Sequence, residues 1–474
     1  MPRSTTGRIL ILCALLSALP VLSSASSAAP PPTQPAAECS LRRIKVLDLE
    51  TAQSIALAHN PDINAARMRI DQARSRIRQA VAAWHPRIDL TTSGVRQRLS
   101  DTSYRDFKHI ATLLGKSAEQ TGEEYSAGLE ATWTLFDGFY RSFNEQRSRY
   151  EEQTAQAALR NSHRLLAGAV AEAFLNAQLA QANADIARAN QTFYIQELHD
   201  AQNRFDVGAG PWNDILNIKV QINAAATEFI RAHREYEAAS YGLAALMGLP
   251  AATLPEQVRL QTLDQLPDSA IRVQENTDEL LAEAARQRPD LQALKTQVRL
   301  REASVGMAKA PLYPAVRVAG SIEGNRENDP GIRDEHISRT VGMEMRWNLY
   351  AGGADRARII EAEQARREAG YLLAGQQNEV AAEVRGHLAR LAAAEEQVRL
   401  QRETVQLVEE NRDLAKNAYA AGEDSLVRLN EAQRDLVATH ARLAQALASR
   451  RLQHQRLLAA IGRNLPPGTP EEQP

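Results

Sequence analysis

The segment Trp133-Thr-Leu-Phe-Asp-Gly138 decides the fold of this chain, because Trp347-Asn-Leu-Tyr-Ala-Gly352 repeats it 214 residues later. Four further pairs of motifs recur in the same order: Ala58–Ile63 with Arg286–Leu291, Trp84–Pro86 with Leu312–Pro314, Phe205–Gly208 with Tyr419–Gly422, and Leu243–Gly248 with Leu457–Gly462. The first two pairs are 228 residues apart and the last two are 214 apart, so the offset changes once, by 14 residues. One insertion in an otherwise constant register indicates a duplicated structural unit whose copies differ mainly in one loop.

The composition favours long helices packed side by side over compact globular domains. Of the 474 residues, 44% are apolar but only 5% are aromatic, and Ala, Leu, Gln, Glu and Arg dominate long stretches, as in helical bundles. The net charge of −2 excludes a global basic field that would hold nucleic acid. Because the arginines are interleaved with glutamates, we expect solvated helix faces and no phosphate-binding track.

The N-terminal residues 1–29 are interpreted as a cleavable signal peptide. Arg3 and Arg8 form its basic part, Ile9–Leu22 its apolar part, and a run of small residues follows. A Pro-rich segment, 30–47, comes next. No later stretch reaches the ~18 consecutive apolar residues of a membrane-spanning helix, so we expect an exported protein that can enter a membrane only through strands.

The two cysteines add little. Cys13 leaves with the signal peptide, so Cys39 is alone in the mature protein and no intrachain disulfide is expected. Lipidation at Cys39 is not expected either, because Glu38 stands where an apolar run and a small residue would be needed.

Each copy is expected to contain a helix, a β-hairpin, a long helix, a tight turn and a second helix. In the first copy we predict a helix over 49–84, with Asp48 as its N-cap and His85-Pro86 as its end. Alternation of apolar and polar residues then predicts strands near 86–97, 124–136, 314–324 and 339–350. Strands that are apolar on one face and charged on the other are typical of an outer-membrane barrel with a wet lumen. A sheet lying on a soluble core is the alternative.

Aromatic residues fall where the predicted strands meet the helices. Their positions match an aromatic girdle at a membrane interface; the residues are Trp84, Trp133, Tyr313 and Trp347. Glycines end the repeated turns of both copies at Gly138, Gly352, Gly208 and Gly422. Four strands cannot close a barrel, which needs about eight, and open strand edges do not survive in hydrocarbon. The sequence therefore predicts an oligomer of at least two chains.

Two uninterrupted helices set the length of the molecule. Gly138–Phe205 and Gly352–Tyr419 each contain about 65 residues, or roughly 100 Å of helix. The shorter helices, 49–84 with 212–247 and 279–311 with 424–461, are expected to stack end to end beside them. The second long helix has two apolar stripes on opposite faces, Leu391, Val398 and Val405 against Leu400, Leu407 and Leu414. Two seams indicate a neighbour on each side, as in a ring of helices; a packed helical core is the alternative.

No enzyme is expected. The ten histidines lack the spacing of a metal site, and no Walker motif, phosphate-binding glycine loop or G-x-S-x-G motif occurs. We therefore expect no cofactor and no metal. The rival from another class is an exported periplasmic coiled-coil scaffold or adaptor, which would share the helices and the signal peptide but has no need of four alternating strands.

From about residue 48 to 462 the chain resembles the TolC family of outer-membrane exit ducts, through the duplicated halves, the W-x-L-[FY]-x-G strand ends and the [FY]-x-x-G turns. The resemblance implies a fold that is mainly α with membrane β. In it a homotrimer forms a twelve-stranded outer-membrane β-barrel continued by a periplasmic α-helical barrel. It also implies two partners, a periplasmic adaptor (membrane fusion) protein and an inner-membrane ABC or RND-type transporter.

The resemblance further implies a polar gate at the periplasmic tip. The matching positions are Tyr419, which opens the second turn, and Asp214, six residues after the first turn glycine. Asp424 stands where the family has an arginine, so Arg428, one turn along, is a candidate for the missing cation. Glu431 matches one acidic position of a tunnel constriction, while Arg428 occupies the other. The alternatives are a packing role for Tyr419 and an N-cap role for Asp214.

These observations divide the chain into a first repeat (48–248), an equatorial linker (249–278), a second repeat (279–462) and a disordered tail (463–474). Loops 98–123 and 325–338 are expected to face the outside. For the cargo, the resemblance implies one-step secretion of a protein, such as a toxin of the adenylate cyclase–haemolysin kind, because family members that export small molecules are often lipidated and this chain lacks a lipidation signal. Efflux of small molecules, drugs or metals is the alternative.

Overall fold

The computed structural model describes residues 44–115, 117–255, 257–263 and 276–465. The predicted signal peptide, both cysteines, most of the Pro-rich segment and most of the tail lie outside the described residues.

The first repeat contains β1 (Val46–Leu47), α1 (Leu49–His59), α2 (Pro61–Ala82), β2 (Arg87–Arg98), α3 (Asp101–Leu113), β3 (Thr121–Asp137), α4 (Tyr140–Asp206) and α5 (Trp212–Leu246). The linker contains a 3-10 turn, Pro250–Ala252, and β4 (Arg259–Leu260). The second repeat contains α6 (Thr277–Gln287), α7 (Pro289–Lys309), β5 (Ala315–Glu327), β6 (Ile337–Arg346), α8 (Ala354–Ala421) and α9 (Leu426–Ile461), with short 3-10 turns at Ala310–Leu312 and Asp334–His336. The order of elements confirms a mainly α chain with a small sheet.

The two long helices are confirmed. α4 has 67 residues and α8 has 68, so each is about 100 Å long at 1.5 Å per residue. α5 lies against one half of α4, while α1 and α2 lie against the other half; α9, α6 and α7 lie against α8 in the same way. α4 also packs on α7 and α9, and this contact joins the two repeats.

The helices predicted over 49–84 and 279–311 are each two helices, so both predictions were wrong in this respect. The first is interrupted at Asn60 (ψ 129°) and the second at Arg288 (ψ 120°). Both residues precede a proline, whose ring pushes the preceding residue out of the helical region and into extended backbone. The first segment also ends at Ala82, two residues earlier than predicted.

These interruptions are the places where the short helices meet end to end. The Asn60 amide Nδ2 donates to the carbonyl of Leu246 at 2.9 Å, and the Arg288 guanidinium Nη1 donates to the carbonyl of Ala460 at 3.0 Å. Leu246 and Ala460 lie in the last turns of α5 and α9. The end-to-end stacking expected from the sequence is therefore present in both repeats.

The hairpins form one antiparallel sheet with the strand order β2-β3-β5-β6. Within the described residues, the outer edges of β2 and β6 have no strand partner. β6 ends at Arg346 and not at residue 350, because its neighbour β5 begins at Ala315, the residue opposite Arg346. Residues 347–350 thus have no strand beside them in a single chain.

The region 98–123, predicted as a loop, contains the helix α3. Ser100 is its N-cap and accepts a hydrogen bond from the backbone of Ser103 at 3.2 Å. The 13 residues of α3 account for nearly all of the 14-residue change in repeat offset. The extra length of the first repeat is therefore a helix inserted at the end of the sheet remote from the long helices.

The linker and the chain end are packed near the middle of the long helices. β1 pairs with β4 in parallel, and Leu260 lies in one apolar core with Phe174 of α4. The disordered tail was predicted to begin at residue 463, but residues 463–465 are packed against the long helix. The buried Asn464 donates to the Arg164 carbonyl at 2.7 Å. The side-chain amide holds the end of the second repeat onto α4.

Candidate functional site

The turns that end the two long helices lie side by side and form one tip of the molecule. Gly208 and Gly422 both have φ +76°, a left-handed conformation that closes a helix end at no steric cost to glycine. The carbonyls left at the helix ends accept from residues just past each turn, as in Ala209 to Arg204 (2.7 Å) and Glu423 to Ala418 (2.9 Å). The repeated [FY]-x-x-G motif thus gives the same turn twice.

The structure brings Tyr419 and Asp214 together across these turns. The Tyr419 hydroxyl donates to Asp214 Oδ2 at 2.9 Å. Tyr419 is only 7% exposed, and burial together with this hydrogen bond raises its pKa to about 12. The hydroxyl is therefore protonated at neutral pH and acts as a donor. Asp214 is not the N-cap of α5, because that position is Pro211.

A third member of this contact, Arg204, was missed in the sequence. Its guanidinium carbon lies 4.1 Å from the centre of the Tyr419 ring, and its Nη1 donates to the Tyr419 carbonyl at 3.2 Å. A cation over a tyrosine ring is attracted by the negative face of the π system. Arg204 has no counterpart in the second repeat, where Ala418 stands, so the duplication gave no signal. Its position next to Phe205 of the first turn was the only available sign.

Apolar side chains surround this polar contact. They come from both helix pairs and form one buried cluster with Tyr419: Ala201, Ile215, Ile218, Leu426 and Leu429. Beside it, Lys416 pairs with the buried carboxylate of Glu197 at 2.8 Å. A cleft of about 440 Å³ opens between the two turns, with Arg204, Asp214 and Tyr419 in its lining. The tip therefore combines a buried apolar cluster with three polar side chains.

Two predicted gate residues, Asp424 and Arg428, and the predicted constriction residue, Glu431, take no part in this contact within one chain, although Asp424 lines the same cleft. Asp424 is exposed and its Oδ1 accepts from the backbone of Ser425 at 2.7 Å. Arg428 lies 3.8 Å from Glu431, and both side chains are about half exposed. In a single chain the cation beside Tyr419 is thus Arg204, and Arg428 and Glu431 lie on the open face of α9.

At the other end of the long helices, the predicted aromatics collect where sheet and helices meet. The Trp133 indole donates to the Trp84 carbonyl at 2.9 Å, and in the second repeat the Trp347 indole donates to the Leu312 carbonyl at 3.2 Å. All four predicted aromatics are between 40% and 54% exposed, as side chains at a boundary would be; they are Trp84, Trp133, Tyr313 and Trp347. The turn glycines beside them, Gly138 and Gly352, have positive φ. Among the described helices, none is both long and apolar enough to cross a bilayer.

Comparison with known families identifies this arrangement. Residues 52–249 and 280–463 match the family described as outer membrane efflux protein, which covers both repeats and leaves out the linker. The chain belongs to this family. The resemblance to TolC proteins is confirmed by the match, and with it the fold class, the outer-membrane location and the role of an efflux channel. The family is one of outer-membrane channels and not of enzymes. Because its members are channels in the outer membrane, both alternatives are set aside, the periplasmic scaffold and the sheet lying on a soluble core.

Individual relatives are distant. The chain is 27% identical over 352 residues to the alkaline protease secretion protein AprF of Pseudomonas aeruginosa, covering 72% of this chain and 68% of the relative. It is 23% identical over 427 residues to the cation efflux system protein CusC of Escherichia coli strain K12, covering 87% and 86%. A crystal structure of CusC matches with a TM-score of 0.73 at 20% identity, over 92% of this chain and 99% of that one. At this identity the structural match establishes the fold.

Proposed function

We propose that three copies of this chain form one duct, with a twelve-stranded barrel in the outer membrane and a helical tunnel across the periplasm. The observation that carries the proposal is the sheet with two unpaired edges. Four strands with open edges are not stable in hydrocarbon, because their backbone donors and acceptors have no partners there. Joining β6 of one copy to β2 of the next removes every edge.

The apolar surfaces of the single chain support the same assembly. On the sheet, one face exposes large apolar side chains such as Leu90, Val341 and Met343, which are 62%, 84% and 70% exposed. A lipid environment would cover this face. On α8, the stripe of Leu391, Val398 and Val405 is buried. The opposite stripe is exposed in one chain and is available to a neighbouring copy: Leu400, Leu407 and Leu414.

The polar contact at the tip is proposed as the gate of the duct. The hydrogen bond from Tyr419 to Asp214 joins α8 to α5, and the stacked Arg204 holds the Tyr419 ring. Each such contact contributes about 1 kcal/mol, so three copies together hold a closed tip that a partner can still open. The raised pKa of Tyr419 means that this contribution is complete below pH 10 and is lost only as the pH rises through about 12. The gate would therefore not respond to physiological pH.

Planar-bilayer recordings of the purified protein test the gate. Tyr419→Phe removes the donor to Asp214 while keeping the ring under Arg204, and we expect a higher single-channel conductance. Tyr371→Phe is the matched control, because Tyr371 lies on the same helix α8 and is 78% exposed. Unchanged conductance in both Tyr419→Phe and Asp214→Ala would remove these residues from the gate.

We infer that the duct works with a periplasmic adaptor and an inner-membrane transporter, and that its cargo is a protein. The support for a protein cargo is the expected absence of lipidation at Cys39 and the likeness to AprF, a protease secretion protein. A metal cargo is the second candidate, because the cation efflux protein CusC is similar over more of the chain. A deletion strain compared with its complemented parent separates the two. Loss of a secreted protein with unchanged metal and drug tolerance supports protein secretion, and the reverse result supports efflux.

A further inference from the structure

The external end of the sheet carries arginines on its apolar face. Arg96 and Arg98 of β2 follow the alternation of Ile88 and Leu90, and Arg339 of β6 follows that of Val341. Arg339 is eight residues from Trp347, or about 26 Å along an extended strand. This length is comparable to the ~25 Å height of the apolar band on a barrel. The arginines are thus placed near the outer border of the membrane.

Of the four arginines on this part of the face, two have a carboxylate beside them and two do not. Arg96 lies 3.6 Å from Glu123, and Arg326 of β5 lies 2.7 Å from Asp329. Arg98 and Arg339 are exposed, and neither has an ion-pair partner in the part of the chain that the structure describes. Asp101, the first acid after Arg98, accepts from the Gln120 amide at 2.7 Å.

The duplication places these two arginines side by side between copies. Arg87 is opposite Thr132 in the first hairpin, and the equivalent Ala315 is opposite Arg346 in the second, so both hairpins have the same register. The contact between β3 and β5 is then the template for the contact between β6 and β2 of the next copy.

In that template Tyr125 is opposite Arg326. Tyr125 is equivalent to Arg339 at the offset of 214, and Arg326 is equivalent to Arg98 at the offset of 228. The same register therefore sets Arg339 opposite Arg98 of the partner subunit. Two like charges directly opposed across a strand pair destabilise the pair unless an anion lies between them.

We propose that each seam between copies binds a phosphate group of a lipid of the outer leaflet through Arg98 and Arg339. Two guanidinium groups present planar pairs of donors that match phosphate oxygens. A lipid is favoured over free phosphate because apolar side chains lie on the same face of the sheet, with Val341 and Met343 directly below Arg339 and Leu90 further down β2. In addition α3, which begins three residues after Arg98, exposes Phe107, Ile110 and Leu113 at 50%, 58% and 81%. The inference rests on the proposed trimer, since the site is complete only between copies.

Native mass spectrometry of the delipidated, detergent-solubilised full chain tests the site, with diphosphoryl lipid A as the probe. We expect up to three lipids per trimer, and a loss of affinity of at least about tenfold in the double variant Arg98→Gln, Arg339→Gln. Arg98→Lys with Arg339→Lys, which keeps both charges, should retain most of the binding. Arg317→Gln is the matched control, because Arg317 is exposed on the opposite face of the same sheet.

The outcomes separate this site from the duct itself. Equal binding of a dephosphorylated lipid A, or displacement of the lipid by millimolar inorganic phosphate, would overturn the proposal of a lipid phosphate site. Equal binding by the Gln double variant, shown to be trimeric by light scattering, would overturn it too. A wild-type protein that is a monomer in light scattering would instead contradict the proposed duct.

Discussion

At each helix interruption two short helices meet end to end, and we call this place a joint. Both joints cap a carbonyl at a helix end, but they do so with different side chains. In the first repeat the joint is neutral: Asn60 is buried, its Nδ2 caps the Leu246 carbonyl at 2.9 Å, and its Oδ1 accepts from the Asp62 backbone at 2.8 Å. In the second repeat the equivalent Arg288 is 3% exposed and caps the equivalent carbonyl, that of Ala460. The backbone is the same in both, because the following proline dictates it.

Only the second joint is a charged network. Arg288 is bidentate to Asp290 at 2.7 and 3.1 Å and also donates to Glu383 at 2.5 Å. Arg164 of α4 comes within 3.8 Å of Asp290 and donates to the Ala459 carbonyl at 3.0 Å. The first joint cannot form such a network, because Ala169 occupies the position equivalent to Glu383. The charged joint lies where α4 of the first repeat crosses the second, so it also ties the two repeats together.

The largest expected effect comes from Arg288→Ala. This change leaves the partly buried Asp290 and Glu383 without their main cation and uncaps α9. Removing one partner of a buried ion pair costs about 3–5 kcal/mol, and the partial exposure of Glu383 places the result toward the lower value. The midpoint of thermal unfolding, followed by far-UV circular dichroism in detergent, should fall more than in any other variant at either joint. A midpoint equal to that of wild type would show that the network does not stabilise the fold.

Asp290→Asn should have the next largest effect, about 1.5–3 kcal/mol for the lost charged hydrogen bonds. Burial opposes ionisation of Asp290, but the hydrogen bonds from Arg288 outweigh it and hold the pKa of Asp290 below its usual value. The stabilisation is therefore present above about pH 4 and is lost as the pH falls through the lower, folded-state pKa. The gap in midpoint between wild type and variant should be constant from pH 5 to 8 and should narrow in more acidic buffer.

The equivalent Asp62→Asn is the control for this pH dependence, because Asp62 is exposed at the neutral joint. A similar pH-dependent gap in both variants would mean that the network around Arg288 has no special role.

The comparison also shows what the sequence could and could not predict. The repeated motifs, the alternation after Pro86 and the long proline-free stretches were sufficient for the helices, the hairpins and the tip turns. The joints were missed although the signal was present, since Asn60-Pro61 and Arg288-Pro289 have the same pre-proline restriction that was used to end the helix before Pro86.

Other features could not have been read from the chain. The stacking of Arg204 on Tyr419 and the approach of Arg164 to Asp290 join residues more than 100 positions apart. Only the packing of the helices decides such contacts. α3 was not predicted for a different reason: it lies between two strands with clear alternation, and its residues were assigned to the loop that joins β2 and β3.

Asn60→Ala should cost less than either change at the charged joint. It removes the donor to the Leu246 carbonyl and the N-cap of α2, which together contribute about 1–2 kcal/mol. No charge is left unpaired by this change, so the midpoint should fall by the same amount at pH 5 and pH 8. Asn64→Ala, a partly exposed asparagine one turn along α2, is the matched control. A loss as large as that of Arg288→Ala would contradict the distinction between a neutral and a charged joint.

The smallest effect is expected when the second joint is rebuilt in the manner of the first, with Arg288→Asn and Glu383→Ala together. The new asparagine amide can cap the Ala460 carbonyl as Asn60 caps that of Leu246, and the alanine matches Ala169. Asp290 keeps Arg164 as its cation. Removing the cation together with one of its carboxylates leaves less buried charge unpaired than Arg288→Ala does, so the free energy of unfolding should lie within about 1 kcal/mol of wild type. A loss equal to that of Arg288→Ala would mean that Arg288 stabilises the joint by its size or reach, and not by keeping buried carboxylates paired.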